Sequence, residues 1–187
     1  MTHDSNIYYF TDTFDKFILS NLDKNISIIY RNYEKNYNFK EINKIKQLCK
    51  INRKKFFISN NIKLAISLNC DGVYLPSFNK LLNYKNQSLR KNFNLIGSAH
   101  NEKEIKNKIL QGCSKIFVSS LFFNKKNKRY LDVIKFNNMT KNYNTIFIAL
   151  GGINEKNIKK LKLLNSAGYA SISYIKKKAL SKIDRAF

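Results

Sequence analysis

Short apolar, β-branched or aromatic runs recur along the chain, each followed by a longer stretch in which apolar residues return every three or four positions. The runs are Ile7–Phe10, Ile26–Tyr30, Lys55–Ile58, Gly72–Leu75, Phe93–Ile96, Lys115–Val118, Thr145–Ala149 and Gly168–Ile172, which makes eight predicted strands. Between them, Phe39–Ile51 predicts a helix, because Ile42, Ile45, Leu48 and Cys49 fall on one face with lysines opposite. Asn101, followed three positions later by Glu104, resembles a capping box, with Ile105, Ile109 and Leu110 as the apolar stripe. Asn154 ahead of Ile158, Leu161 and Leu164 predicts a third helix on the same scheme. Gly112 and Gly168 stand between a helix end and the next strand, the place for a left-handed residue.

Eight alternating strand and helix units predict an all-parallel sheet, and eight strands close a barrel. A doubly wound open sheet is the competitor, but its glycine-rich turn after the first strand is missing: Phe10 runs into Thr11, Asp12 and Thr13. The expected fold is a compact (β/α)8 TIM barrel formed by one domain over residues 1–187. That length lies below the roughly 200 residues at the small end of such barrels, and little chain follows strand eight, so the C-terminal helix must be short.

Composition narrows the function classes. The chain carries 35 Lys+Arg against 12 Asp+Glu, a net charge of +23, which would draw nucleic acid or an anionic surface. The basic residues, however, are 30 Lys to 5 Arg, spread evenly among 27 Asn and 23 Ile. Nucleic-acid readers lean on Arg forks or on basic clusters interleaved with exposed aromatics, so solvated surface charge is favoured and nucleic acid disfavoured. No apolar run approaches the roughly 18 to 20 residues of a spanning helix, and no basic-then-apolar leader precedes Ile7, so the expected compartment is the cytoplasm. Cys49, Cys70 and Cys113 show no paired spacing, and with only His3 and His100 there is no zinc pattern. Reduced packing cysteines are the expectation.

In a barrel, chemistry sits on the loops that leave the C-terminal ends of the strands. Gly151-Gly152 runs from strand seven into a helix start, so bare backbone N–H groups there can meet an anion, with Ser173 just past strand eight beside them. A tight turn without ligand is the alternative. His100 follows strand five in a small, polar setting, where it can act as general acid or base. Equally, it can cap the next helix or hydrogen-bond a neighbouring loop.

The ordered set Tyr9-Phe10-Thr11-Asp12, Ile28-Ile29-Tyr30-Arg31, Ile58-Ser59-Asn60, Leu64-Ala65, Asp71 to Pro76, Ile96 to His100, Ala149 to Ile153 and Ala167 to Ala170 resembles the thiamine phosphate synthase / TenI family. The resemblance implies a phosphate-binding barrel active in thiamine biosynthesis. The synthase couples an aminopyrimidine methyl diphosphate to a thiazole phosphate with Mg²⁺ and releases pyrophosphate. A tautomerase branch shifts a proton in the thiazole phosphate without metal. By resemblance Arg31 grips the pyrimidine diphosphate, Ser98 and His100 are the catalytic pair, and Gly151, Gly152, Ile172 and Ser173 hold the thiazole phosphate.

The departures from the family pattern cluster at the other end of the site. Ile29 and Tyr33 replace a Gln and a Lys beside the arginine. Ser59-Asn60 stands where the family has Asn-Asp, Asn79 where it has a second magnesium carboxylate, and Asn124-Lys125-Lys126-Asn127 where it has Thr-x-Ser-Lys. Mg²⁺ wants carboxylate charge, which two amides lack, so Mg²⁺ is implied only if synthase activity is kept. Lys125 and Lys126 could neutralise diphosphate by charge alone, and an acid such as Asp12 or Asp71 could replace the lost ligands. The expected substrate-binding set is therefore Arg31, Ser59, Asn60, Asn79, Asn124, Lys126, Gly151, Gly152, Ile172 and Ser173, with no metal ligand. Two readings remain: an enzyme that forms thiamine phosphate or isomerises the thiazole, and a non-catalytic sensor or carrier of a phosphorylated heterocycle. Partners are small thiazole and pyrimidine phosphates, and a homo-oligomer stands beside closure of the barrel by the chain alone.

Overall fold

In a computed structural model, which describes residues 6–33, 37–82, 84, 89–125 and 128–183, eight parallel strands pair in chain order and close through β1 and β8. They are β1 Ile7–Thr11, β2 Ile26–Tyr30, β3 Phe56–Ser59, β4 Gly72–Leu75, β5 Asn94–Ala99, β6 Lys115–Val118, β7 Ile146–Leu150 and β8 Gly168–Ala170. The predicted barrel is therefore the observed one. Each strand is apolar on both faces, as strands covered on both sides must be. One alternate set, Tyr8, Phe10, Ile29, Phe57, Tyr74, Ile96, Phe117, Ile148 and Ala170, fills the barrel. The other set, including Tyr9, Ile28, Ile58, Val73, Leu75, Ile116 and Val118, packs outward under the helices. Inside, aromatic rings meet edge to face: Phe117 lies 4.8 Å from Tyr8 and 5.5 Å from Tyr74, and Phe10 lies 5.2 Å from Tyr74.

The outer layer holds α1 Lys16–Asn21, α2 Phe39–Ile51, α3 Ile62–Ser67, α4 Glu102–Leu110, α5 Asp132–Thr140 and α6 Ser173–Ile183. Three of the asparagines serve helix starts. Asn38, Asn61 and Asn101 each accept from the backbone N–H three residues on, opening α2, α3 and α4. α2 buries the predicted Ile42, Ile45, Leu48 and Cys49. α6, with 11 residues, is the expected short final helix, and its Lys178 and Lys182 both pair with Asp23 behind α1.

Four expectations are corrected. α4 buries Ile105 and Lys108 and leaves Leu110 exposed. Lys108 is three residues from Ile105 and so shares its face, with carbonyl partners waiting there. The segment after β7 is a 3-10 helix over Ile158–Leu163, without a side-chain cap. Its apolar residues recur every three positions, and that is the 3-10 repeat. Gly112 has the expected positive φ of 83°. Gly168 is instead a close-approach residue, because a Cβ there would meet the Asn6 carbonyl oxygen at 2.0 Å. Finally, among the described residues no α-helix joins β4 to β5.

The three cysteines are free and buried, and burial pushes each thiol up to about 12, which suits packing groups. Among the described residues no helix is long and apolar enough to cross a membrane.

Candidate functional site

Side chains of a β-strand alternate faces, so the residue two beyond each inward core residue also points to the barrel axis, one layer higher. Arg31 follows Ile29 in this way, Ser59 follows Phe57, Ser98 follows Ile96 and Ile172 follows Ala170. Four predicted site residues thus come from this one layer at the C-terminal mouth. Arg31 lies over the filled barrel, its guanidinium 4.6 Å from the Phe10 ring centre and 5.8 Å from that of Tyr33. Ser98 is buried and hydrogen-bonds Tyr74, whose phenol is raised chiefly by burial. The Ser59 hydroxyl is buried beside the Tyr33 phenol, which lies on the same side of the mouth as Arg31.

At the β7–β8 end the backbone makes the site. Gly151 and Gly152 have φ of 96° and 72°, in the left-handed region that favours glycine. The loop after β6 presses on them: a Cβ on Gly151 would lie 2.7 Å from Ser120 Oγ, and one on Gly152 2.3 Å from the Phe122 carbonyl oxygen. Leu121 N–H donates to the Leu150 carbonyl at 2.8 Å and Phe122 N–H to that of Gly151 at 3.1 Å, fixing this contact. Asn154 and Asn157 side chains both donate to the Gly152 carbonyl, at 3.2 and 2.8 Å. The backbone N–H groups of Gly151, Gly152, Ile172 and Ser173 donate to no acceptor among the described residues. Ser173 opens α6, with Ser171 Oγ accepting from Tyr174 N–H at 3.3 Å. Unengaged donors, a helix start and glycine-lined space together suit a phosphate.

His100 lies on the rim between β5 and β6. Its Nδ1 is 2.9 Å from the Ser119 carbonyl oxygen and 3.1 Å from Ser119 Oγ, while its backbone N–H donates to Glu104 at 2.7 Å. With the Nδ1 proton on the carbonyl, Nε2 is the free acceptor. The ring borders a cleft of about 380 Å³ formed with Ser119, Ser120, Arg129, Tyr130 and Leu131. A larger groove of about 960 Å³, between Lys128–Lys135 and Leu163, touches none of the predicted site residues. Asn124 donates to Ser120 Oγ at 2.9 Å, joining the loop that covers the glycines. Lys126 lies outside the described residues.

The β3–β4 end is made of side chains. Asn79 Nδ2 donates to Asn60 Oδ1 at 2.7 Å and is 2.8 Å from the Tyr84 hydroxyl. Asn79 Oδ1 accepts from Leu81 N–H at 3.1 Å and from Gln111 Nε2 at 3.2 Å. Gln111 also donates to the carbonyls of Asn79 and Leu81, at 3.0 and 2.8 Å. Lys108 completes the network: its ammonium, buried and held down to about 8 chiefly by that burial, donates to Pro76 O at 2.7 Å, Asn79 O at 2.8 Å and Gln111 Oε1 at 2.9 Å. These residues do not fit Mg²⁺. Both amide oxygens are already hydrogen-bonded, the amides are neutral, and among the described residues no cluster of three His, Cys, Asp or Glu occurs. Asp71 does not replace the lost acids, since it precedes β4 at the opposite end of the barrel, where it accepts from Phe56 N–H at 2.8 Å.

Sequence reasoning missed Tyr74, Ser119, Gln111 and Lys108. Strand alternation along β4 was the signal for Tyr74, and the spacing from Ile105 was the signal for Lys108.

Residues 5–175 match the thiamine monophosphate synthase family. The thiamine-phosphate synthase of Pelagibacter ubique (strain HTCC1062) is 30% identical over 168 residues, covering 86% of this chain and 79% of that protein. That of Prochlorococcus marinus (strain AS9601) is 34% identical over 124 residues, 63% of this chain. The matched region spans only 34–40% of the length of the Prochlorococcus relatives. Among solved structures, thiamine phosphate pyrophosphorylase from Pyrococcus furiosus shares the fold with a TM-score of 0.73 at 20% identity, covering 98% of this chain and 96% of that one.

Proposed function

The chain belongs to the thiamine monophosphate synthase family, and on that premise we propose that it works in thiamine biosynthesis, holding a thiazole phosphate at its β7–β8 loops and isomerising the ring. The observation that carries this reading is the pair of left-handed glycines pinned under the β6 loop beside the start of α6, with four backbone N–H groups unengaged among the described residues. They would take the phosphate oxygens, and Arg31, Ser59 and Ser98 would face the ring from the mouth. His100 Nε2 would take a proton from one carbon of the thiazole phosphate and return it to another, while Nδ1–H stays on the Ser119 carbonyl and keeps the tautomer. The small phosphorylated substrates and the lack of a spanning helix among the described residues accord with a cytoplasmic reaction.

A second reading, coupling of the thiazole phosphate to an aminopyrimidine methyl diphosphate, is favoured by the names of the curated relatives. One assay separates the two. Incubated with both substrates and Mg²⁺, the protein is expected to interconvert the thiazole tautomers without forming thiamine phosphate. Thiamine phosphate in the products would establish the second reading instead. His100→Gln is expected to slow the interconversion at least 100-fold, and an unchanged rate would remove the histidine from the reaction. Thiazole phosphate is expected to raise the melting temperature in either case, and no rise would remove the phosphate clamp at the β7–β8 loops.

A further inference from the structure

The β3–β4 end contains a charge that nothing so far has used. Lys108 is buried, and its three ammonium protons are taken by three neutral oxygens, those of Pro76, Asn79 and Gln111. No carboxylate pairs with it among the described residues. Its positive charge is hydrogen-bonded but not ion-paired: Glu104, one turn earlier on α4, acts on it only through longer-range attraction, and in a low-dielectric interior such a charge reaches further than one in water. The fold makes room for it deliberately: a Cβ on Gly97 would lie 2.7 Å from Lys108 Cδ, so the bare β5 backbone lets the stem through. At its far end Asn79 links the ammonium to the Asn60 amide on the β3 loop.

Resting on the family reading above, we propose that Lys108 serves this end of the site as a fixed cation and positions the Asn79–Asn60 pair, so that a diphosphate is accepted there without a divalent metal. One observation supports it directly: the amide oxygens that would meet a metal already accept from Gln111 and Leu81 at Asn79 and from Asn79 at Asn60. It follows from the proposal that a second cation is repelled by the buried ammonium. Both Asn79 amide protons are already given to Asn60 and Tyr84, so the Asn60 amide N–H groups and Arg31 would be the direct anion contacts, with Lys108 supplying potential and holding the loop behind them.

Inorganic pyrophosphate and Mn²⁺ are the probes, with the full chain. Titration calorimetry in EDTA is expected to show pyrophosphate binding that changes less than twofold when EDTA is replaced by excess Mg²⁺. Electron paramagnetic resonance is expected to show Mn²⁺ remaining free at millimolar concentration, with or without pyrophosphate. Lys108→Met is expected to weaken pyrophosphate at least tenfold, and to weaken thiazole phosphate at least fivefold less than that. Equal losses for both ligands, which a merely loosened loop would give, overturn the proposal. So does a tenfold gain in pyrophosphate affinity on adding Mg²⁺, a bound Mn²⁺ signal, or no pyrophosphate binding under any condition. Should Lys108→Met fail to fold, the two wild-type measurements decide. Thiazole phosphate protection measured beside them is independent of these outcomes, so failure here leaves the β7–β8 reading standing, and loss of that protection removes the reading itself.

Discussion

The two ends of the barrel mouth present polar groups by opposite means. At β7–β8 the exposed donors are backbone N–H groups, and the sequence marks them with glycines whose conformation and crowding exclude any side chain. At β3–β4 they are side chains from a helix and two loops, Lys108, Gln111, Asn79 and Asn60, each anchored on the next. A backbone site tolerates drift in the surrounding residue types so long as its glycines stay. A side-chain site can be rebuilt only as a unit, because one missing member leaves several buried groups unpaired.

Gly152→Ala is the severest test of the first half of this contrast. The added methyl would lie 2.3 Å from the Phe122 carbonyl oxygen at a φ of 72°. The expected loss is about 3 kcal/mol or more in urea unfolding, together with loss of thiazole-phosphate protection. A stable variant that still binds would break the contrast. Gln111→Leu probes the other half. It strips the carbonyls of Asn79 and Leu81 of a donor and Lys108 of an acceptor, at an expected cost of about 2 to 3 kcal/mol by the same measurement. A cost near zero would mean that the network is decoration. Asn60→Ala, at the exposed edge of that network, removes one acceptor and should cost about 1 kcal/mol, so the ordering Gln111 above Asn60 is itself checkable. Asp23→Asn is the distant control. Hydrogen bonds from Lys182 and Lys178 hold this carboxyl below its ordinary range. The group is about a third exposed, so solvent screening should keep the loss at neutral pH under about 1 kcal/mol. Its stabilisation is present above the unfolded carboxylate value and disappears as pH falls through the lowered folded one. The difference between wild type and Asp23→Asn should therefore shrink in acid, with turnover unaffected.

How far each feature could be read from the chain depends on which interaction creates it. β2, β4 and β6 have their predicted bounds because apolar alternation and flanking polar residues both act locally. The buried face of α2 was legible for the same reason, as were the Gly151-Gly152 turn and the position of Arg31. Lys108 was not, since a lysine on an amphipathic helix ordinarily faces water and its carbonyl partners lie about thirty positions earlier in the chain. The β4–β5 connection escaped too: side chains of α4 hold its described part, and no periodicity encodes that. Asn60 and Asn79 were legible as lost acids, but the bond between them was visible only in three dimensions.

The aromatic filling of the barrel gives the molecule an optical signature of its own closure. The chain has no Trp, and Tyr8 and Tyr74 are immobilised inside the barrel, both against Phe117. Near-ultraviolet dichroism should therefore respond to the packing of these rings, and far-ultraviolet dichroism to the helices outside. A state that keeps the second signal after losing the first would be a barrel whose staves survive while the stack at its centre has come apart.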